Sequence, residues 1–319
     1  MNERKKTNRY VRIFFFISFI SITIILILTS SKKTFSSIKL ISLSYFFYAI
    51  LATSLRYLFD ILRTQTIVKA MGKRVDFNTA LTFIFGGQFL GGVTPFQAGG
   101  IPLQLWVLKK KNLDYAEGTA TIFFRGFLSA LIFPFLLPFV YRYGKNIESG
   151  IFKGLLLYII IFYGVILLVV LLSLIFTGFF KRILPIKFVN GVQNFKNIFI
   201  CRLRKHPIPI LISFIFTILS LGFYFFTAPL LLKGLGLKVS LIKVAILQVV
   251  LTYGLNFTPS PGASGFAEAG AFGIFSIVCP KELLGIYVAL WRFLTGYLGM
   301  IVGGIISSRV TYPEIPLHH

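Results

Sequence analysis

Long apolar stretches separated by short segments rich in lysine and arginine dominate this 319-residue chain. A run of about 20 apolar residues has the length of a helix that crosses a bilayer. Six such helices are predicted, at residues 13–28, 40–62, 118–140, 154–177, 207–232 and 283–306. The predicted fold class is therefore an all-α polytopic membrane protein.

Two further apolar stretches, 79–108 and 241–278, are interrupted by proline and glycine. These residues break a helix and leave backbone groups without intrahelical partners. Such a break is tolerated in a membrane only where it is buried in protein or lines a water-filled cavity. The arms beside each break are too short to cross alone, which predicts two re-entrant hairpins. For the first stretch, a single kinked spanning helix is the alternative.

The two breaks share a Thr-Pro pair followed by small residues. Each break also precedes a predicted spanning helix with one embedded arginine, Arg125 or Arg292. The pattern predicts two related hairpins that face each other, and it supplies these candidate binding residues: Thr94, Pro95, Gln97, Gly99, Gly100 and Gln104 in the first, and Asn256, Thr258, Pro259, Ser260, Pro261, Gly262, Ser264 and Gly265 in the second.

The distribution of lysine and arginine predicts the orientation. With both hairpins treated as non-crossing, one side of the membrane holds roughly twice as many of these residues as the other, and the positive-inside rule makes that side cytoplasmic. Both termini are then cytoplasmic, and the hairpins enter from opposite faces because three spans separate them. We expect one transmembrane domain over 1–319, with inverted-repeat halves at about 40–140 and 207–308.

The composition narrows the class of ligand. A net charge of +24 would suggest nucleic acid in a soluble protein, but 56% hydrophobic residues exclude a soluble domain. The basic residues lie between the apolar runs, so we interpret them as a topology signal and an attraction to anionic lipid headgroups. Neither a metal site nor a cofactor is predicted, because His/Cys ligand spacing is lacking and Cys201 and Cys279 fall on opposite sides of the membrane.

Arg125 and Arg292 are the strongest candidates for ligand binding. An arginine at the centre of a membrane helix costs about 2.5–3.5 kcal/mol on insertion scales, so it should face the protein interior and have a partner. Its guanidinium fork matches phosphate, and helix N-termini after Pro95 and Pro261 would add N–H donors. We predict a pocket for a phosphorylated headgroup. Alternatively, the arginines satisfy carbonyl groups freed by the breaks.

Glu268 is an acid within an apolar arm of the second hairpin. The sequence leaves two roles open: a counter-ion to Arg292 or Arg125, or a proton carrier that couples transport.

Charged residues also occur late in the second predicted span. Arg56, Asp60 and Arg63 share one helix face, and we interpret them as a helix end that reaches the headgroups, with substrate contact as the alternative. Residues 64–78 are predicted to form an interfacial segment.

No catalytic set is evident. The hydroxyl residues of the second break have no embedded histidine beside them, since His206 lies in a basic loop, and phosphate-loop motifs are absent. A membrane-embedded lipid-modifying enzyme remains an open alternative.

At these residues the sequence resembles the lysylphosphatidylglycerol synthase transmembrane-region family, also called flippase-like domain proteins. The resemblance covers about residues 10–308 and depends on the two Thr-Pro breaks, on the glutamate Glu268 and on the two embedded arginines. This chain has Ala263-Ser264 where the family pattern often has Gly-Gly.

The resemblance implies an inner-membrane module associated with moving lipids across the bilayer. In the best-known members it is fused to a soluble aminoacyl-lipid synthase domain, which we do not expect here. We predict a lipid translocase that works by alternating access on an anionic or zwitterionic phospholipid or a polyprenyl phosphate. The alternatives are a lipid-modifying enzyme, or a scaffold subunit that serves a separate lipid synthase or glycosyltransferase. Homo-oligomers remain open, and nucleic acid is not an expected partner.

Overall fold

The computed structural model describes residues 42–94, 97–145, 147–175, 201, 205–256 and 258–308. Its α-helices are α1 (Leu43–Ala70), α2 (Phe77–Gly92), α3 (Gly100–Lys109), α4 (Tyr115–Gly144), α5 (Gly150–Ile175), α6 (Pro207–Gly234), α7 (Leu241–Leu255), α8 (Phe266–Phe275), α9 (Lys281–Arg292) and α10 (Leu298–Ser308). A 3-10 turn at Pro261–Ala263 separates α7 from α8, and a π-helical turn at Phe293–Tyr297 joins α9 to α10.

Among the described residues, four helices are long and apolar enough to cross a membrane: α1, α4, α6 and the continuous helix Lys281–Ser308. They confirm the helices predicted at 40–62, 118–140, 207–232 and 283–306, although α1 ends eight residues later than expected. The helix predicted at 154–177 is present as α5, but its side chains are described only as far as Val165. The predicted span at 13–28 lies outside the described residues. The total of six spans stays a prediction.

The first broken element is an antiparallel hairpin of α2 and α3. The two helices approach so closely that a Cβ on Gly100 would lie 2.6 Å from the carbonyl oxygen of Gly87. At the open end, Lys111 after α3 forms a 2.7 Å salt bridge with Asp76, which caps α2. Lys111 and the hydroxyl of Thr79 hold the pKa of the Asp76 carboxyl well below its usual range. Both ends of the element therefore lie together, and the alternative of one kinked spanning helix is wrong.

The second broken element turns through a tight segment between α7 and α8. Gly262 and Gly265 have φ values of 56° and 81°, in the left-handed region that glycine adopts without steric cost. Ala263 also has a positive φ, 57°, which is unfavourable for a residue with a Cβ. This is one of the two positions where the family pattern often has glycine, so the departure noted above adds strain while the turn is preserved.

The last helix packs on the first hairpin through small residues. A Cβ on Gly303 would lie 2.0 Å from the carbonyl oxygen of Phe85, and one on Gly299 would lie 2.2 Å from the hydroxyl of Tyr57. Glycine at these two positions thus allows α10 to pack closely, whereas Gly296 lies against the guanidinium of Arg292. In addition, α1 packs along α6, and α2 contacts the 3-10 turn, so the two broken elements touch.

The prediction of an interfacial segment at 64–78 is wrong for its first half. Residues 64–70 continue α1 and bury Thr64, Ile67 and Val68, because α6 and neighbouring helices cover this part of α1. A short connection, 71–76, then leads to α2.

We expect Gly303→Ala to destabilise the protein by roughly 1–3 kcal/mol, because the added methyl group meets a backbone carbonyl that cannot move independently of α2. The loss should appear as a lower melting temperature in detergent micelles.

Gly222→Ala in α6 is the matched control, since nothing lies within 4 Å of its added Cβ. It should be neutral or slightly stabilising, because alanine favours a helix by up to about 1 kcal/mol over glycine. Equal melting temperatures for the two variants would contradict the close packing of α10 on α2.

Candidate functional site

Glu268 lies in the first turn of α8 and bonds to groups on both sides of its carboxylate at the second break. The residue is completely buried, and its Oε2 accepts a 2.7 Å hydrogen bond from the backbone N–H of Gly265, the residue that precedes the helix. Its Oε1 accepts from Nε of Arg292 at 2.9 Å and from the hydroxyl of Tyr297 at 3.0 Å. Both oxygens of the carboxylate are therefore occupied.

Arg292 ties the last helix to the same break. It ends α9, directly before the π-helical turn, and its Nη2 donates a 2.5 Å hydrogen bond to the carbonyl oxygen of Gly262. This bond fits the alternative interpretation of the sequence, in which an embedded arginine satisfies a carbonyl group that the break leaves without a helical partner. It also pairs with Glu268, which is the counter-ion arrangement predicted for that residue.

A second buried cluster surrounds Asp60 near the middle of α1. Its carboxylate accepts from Nε of Arg125 at 3.3 Å, from Nη2 of the same residue, and from Nη1 of Arg63 at 3.4 Å. Arg63 also donates from Nη2 to the hydroxyl of Ser129 at 2.9 Å and to the carbonyl oxygen of Arg125.

The interpretation of Asp60 and Arg63 as a helix end reaching the headgroups is wrong. Asp60 is 7% exposed and Arg63 is 3% exposed. The reason is the length of α1, which continues to Ala70 and so places both residues well inside the helix instead of near its end.

Arg56 lies at the midpoint of α1 and links this helix to α6 and to the π-helical turn. Its guanidinium lies 4.2 Å from the ring centre of Tyr224 and 4.7 Å from that of Tyr57, which is cation–π geometry. Its Nη1 points at the carbonyl oxygen of Thr295 in the π-helical turn, at 3.4 Å. No carboxylate contacts it directly among the described residues.

Arg125 lies beside α2, and residues of α3 and α7 bond to its neighbours. Its guanidinium lies 5.7 Å from the ring centre of Phe83 in α2, and the carbonyl oxygen of Phe83 accepts a 3.4 Å hydrogen bond from the amide of Gln104 in α3. Tyr253 of α7 donates to the carbonyl oxygen of Ser129, one turn after Arg125, at 2.8 Å. The structure therefore brings the predicted residues Arg125 and Gln104 to the same part of α2.

The remaining candidates of the first break stabilise the hairpin or face outward. The hydroxyl of Thr94 accepts from the backbone N–H of Gly99 at 2.8 Å and donates to the carbonyl oxygen of Leu90 at 2.8 Å. Gly100 is buried against α2, whereas Gln97 is exposed. Pro95 lies outside the described residues.

The hydroxyls of the second break mostly bond to their own turn. Thr258 donates to the carbonyl oxygen of Leu255 at 2.9 Å, and Ser264 donates to that of Pro261 at 2.7 Å. The hydroxyl oxygen of Ser260 is buried and has no hydrogen-bond partner among the described residues. Asn256 and Pro259 are exposed.

Gln248 in α7 is a buried polar residue that our sequence reasoning missed. Its side chain accepts from the backbone N–H of Ala228 at 2.9 Å and donates to the carbonyl oxygen of Tyr224 at 2.8 Å, next to Pro229 in α6. In a regular helix the N–H of Ala228 would bond to the carbonyl oxygen of Tyr224. Here the side-chain amide of Gln248 bonds to both of these groups beside the proline. A single glutamine in an apolar arm, near a span that contains proline, was the available signal.

The described interior carries more positive than negative charge. Arg56, Arg63, Arg125 and Arg292 lie well inside helices of spanning length, with only Asp60 and Glu268 as embedded acids in the described ranges. An unpaired charge in an apolar interior is costly, so such a site favours an anionic ligand. No group of His, Cys, Asp and Glu residues suited to a metal ion occurs in the described part of the chain.

Comparison with known proteins identifies the family. The model of the lysylphosphatidylglycerol synthase TM region matches residues 13–303, so the chain belongs to this family and is a multi-pass membrane protein. A UPF0104 membrane protein of Archaeoglobus fulgidus is 22% identical over 294 residues, which cover 87% of this chain and 90% of that relative. The resemblance described above is therefore confirmed.

We expect Glu268→Gln to destabilise the protein strongly. The amide leaves Arg292 buried without a counter-charge and turns an N–H group toward at least one of the three donors from which the carboxylate now accepts. Removing one partner of a buried ion pair typically costs about 3–5 kcal/mol. Thermal unfolding in detergent measures the loss.

Glu148→Gln is the control for this experiment, because Glu148 is exposed in the connection before α5. It should leave the melting temperature within error of the unsubstituted protein. A stable Glu268→Gln variant would show that the buried pair is not needed to hold the break closed.

Proposed function

We propose that this member of the family is a membrane lipid translocase. It would move a phospholipid or a polyprenyl-phosphate-linked lipid between leaflets by alternating access, leaving the lipid chemically unchanged. The observation that carries the proposal is the contact between the two broken elements beside an excess of embedded arginine. Transporters place their binding sites where discontinuous helices meet near the middle of the bilayer, and a charged lipid headgroup fits such a site.

The order of the helices supports an inverted repeat. A long helix, two short ones and a second long one occur in α1–α4, and the same order recurs in α6–α10. We propose that 40–140 and 207–308 are two halves of opposite orientation, with the first hairpin entering from the cytoplasm and the second from outside. In this arrangement both termini are cytoplasmic and the protein lies in the cell inner membrane.

The bonds of the site suggest how the halves move. The ion pairs of Asp60 with Arg125 and of Glu268 with Arg292 each lie within one half. Bonds between the halves include neutral contacts, such as that of Tyr253 with Ser129, and the long contact of Arg56 with a carbonyl group. Strong pairs would keep each half rigid, while weaker contacts at the interface allow the halves to rock.

The family supports a lipid-related role because its name refers to the membrane region of a lipid synthase. We propose membrane lipids as the ligands and a separate lipid synthase or glycosyltransferase as a possible source or acceptor of the transported lipid. Enzymatic activity is not part of the proposal.

Arg125→Ala should reduce lipid transport by about tenfold or more, because it removes a guanidinium that is partly accessible, with 23% of its side chain exposed, and that pairs with Asp60. The measurement follows fluorescent phospholipids and polyprenyl phosphates between leaflets of proteoliposomes. Arg142→Ala, at the exposed end of the same helix, is the control and should transport normally.

Two results would overturn the proposal. A change in lipid mass on incubation with the protein would identify a lipid-modifying enzyme. Absence of both transport and mass change, with co-purification of a synthase or glycosyltransferase, would identify a scaffold subunit.

We also propose that Glu268 is a counter-ion and not a proton carrier, because both of its oxygens accept hydrogen bonds. The pH profile of transport, measured on the folded fraction of Glu268→Gln and scaled to its own maximum, should then be the same as for the unsubstituted protein. A flattened profile in the variant would assign the carrier role to this residue.

A further inference from the structure

The excess positive charge is not shared between the two clusters. Around Glu268 there is one carboxylate and one guanidinium, Arg292, so this pair is neutral. Around Asp60 there are two guanidinium groups in direct contact, Arg63 and Arg125, and Arg56 lies one helical turn away on the same face. The Asp60 cluster therefore carries two positive charges without a carboxylate among the described residues.

The guanidinium groups of this cluster also keep donors that no described acceptor uses. Nε of Arg63 is buried and has no hydrogen-bond partner. Arg125 donates to described residues from Nε and Nη2, and its Nη1 donates no hydrogen bond to them. Arg56 has only the long 3.4 Å contact from its Nη1.

Arg292 differs in its charge balance and in its burial. Its Nε donates to Glu268 and its Nη2 donates to the carbonyl oxygen of Gly262, and 9% of its side chain is exposed, compared with 23% for Arg125. Its charge is balanced and its position is set by the break. Arg125 and Arg292 occupy equivalent positions in the sequence pattern. Their surroundings nevertheless differ in net charge and in exposure.

We infer that the headgroup binds at the Asp60 cluster, held by Arg56 and Arg125, and that it is a lipid phosphomonoester. This inference rests on the proposed function and names the class of its substrate. Arg63 stays tied to Asp60 and Ser129 and positions Arg125 through its carbonyl oxygen.

The charge selects the class of phosphate. A phosphomonoester carries about 1.5 to 2 negative charges at neutral pH, whereas a phosphodiester carries one. Only the monoester balances two uncompensated guanidinium groups, and its three terminal oxygens can accept from two arginine forks at once. A polyprenyl phosphate and a phosphatidic acid share this chemistry.

The test measures binding to the full chain in an uncharged detergent by native mass spectrometry. The probes are farnesyl phosphate, dioctanoyl phosphatidic acid and inorganic phosphate, with dioctanoyl phosphatidylglycerol as the phosphodiester. We expect the two lipid monoesters to bind at least about tenfold tighter than the diester, because one more charge is paired in a poorly screened site. Whichever monoester binds tighter identifies the lipid source.

Equal affinities for monoester and diester would overturn the inference without any variant. Inorganic phosphate that binds as tightly as both lipids would also overturn it, because the site would then recognise the free ion.

Variants test the location of the site. Arg56→Gln should lower monoester affinity about tenfold and diester affinity less, so that the preference shrinks. Lys153→Gln removes one positive charge from an exposed position at the start of α5 and should change neither affinity. Should Arg56→Gln not fold, Arg56→Lys keeps the charge without the fork and should still lower the affinity for the monoester. An undiminished preference in Arg56→Gln, or an undiminished monoester affinity in Arg56→Lys, would exclude the Asp60 cluster.

Transport and binding can fail separately. Selective monoester binding without movement between leaflets would overturn the translocase alone. Transport of phospholipid diesters with no selective monoester binding would overturn this inference alone.

Discussion

The structure depends on satisfying backbone and charged groups where helices break inside apolar surroundings. At the second break one buried carboxylate, Glu268, accepts from the N–H of Gly265 and pairs with Arg292, which in turn donates to the carbonyl oxygen of Gly262. Without these bonds, the break would expose several polar groups to an environment with no water to replace them. The tight turn and the position of the last helix both follow from this arrangement.

The two breaks meet the same requirement with different residues. The N–H of Gly99 in the first break bonds to the hydroxyl of Thr94, and the N–H of Gly265 in the second bonds to Glu268. The carboxylate that pairs with Arg125 comes from α1 instead of from the hairpin. This difference leaves one arginine cluster neutral and the other positively charged, so the two embedded arginines of the shared sequence pattern lie in different electrostatic surroundings.

The packing within α1–α4 and within α6–α10 differs from the packing between these two groups of helices. Ion pairs and the close glycine contacts of the first hairpin hold together helices of one group. Between the groups, α10 lies against α2 through Gly299 and Gly303. The contact of α10 with α2 thus depends on close van der Waals packing of small residues.

Local features decided the helices, the breaks and the presence of embedded arginines, because apolar length and Pro/Gly interruption act within about 20 residues of chain. They did not decide which groups pair. Arg125 and Asp60 are 65 residues apart, and the burial of Asp60 and Arg63 depends on how far α1 extends and on what covers it. Gln248 accepts a hydrogen bond from a backbone N–H of α6, and the residue that donates it lies 20 positions earlier in the sequence. The sequence alone thus established a membrane protein with two breaks and buried guanidinium groups, whereas only the tertiary structure decided the partner and the net charge of each cluster, since both depend on contacts between distant helices.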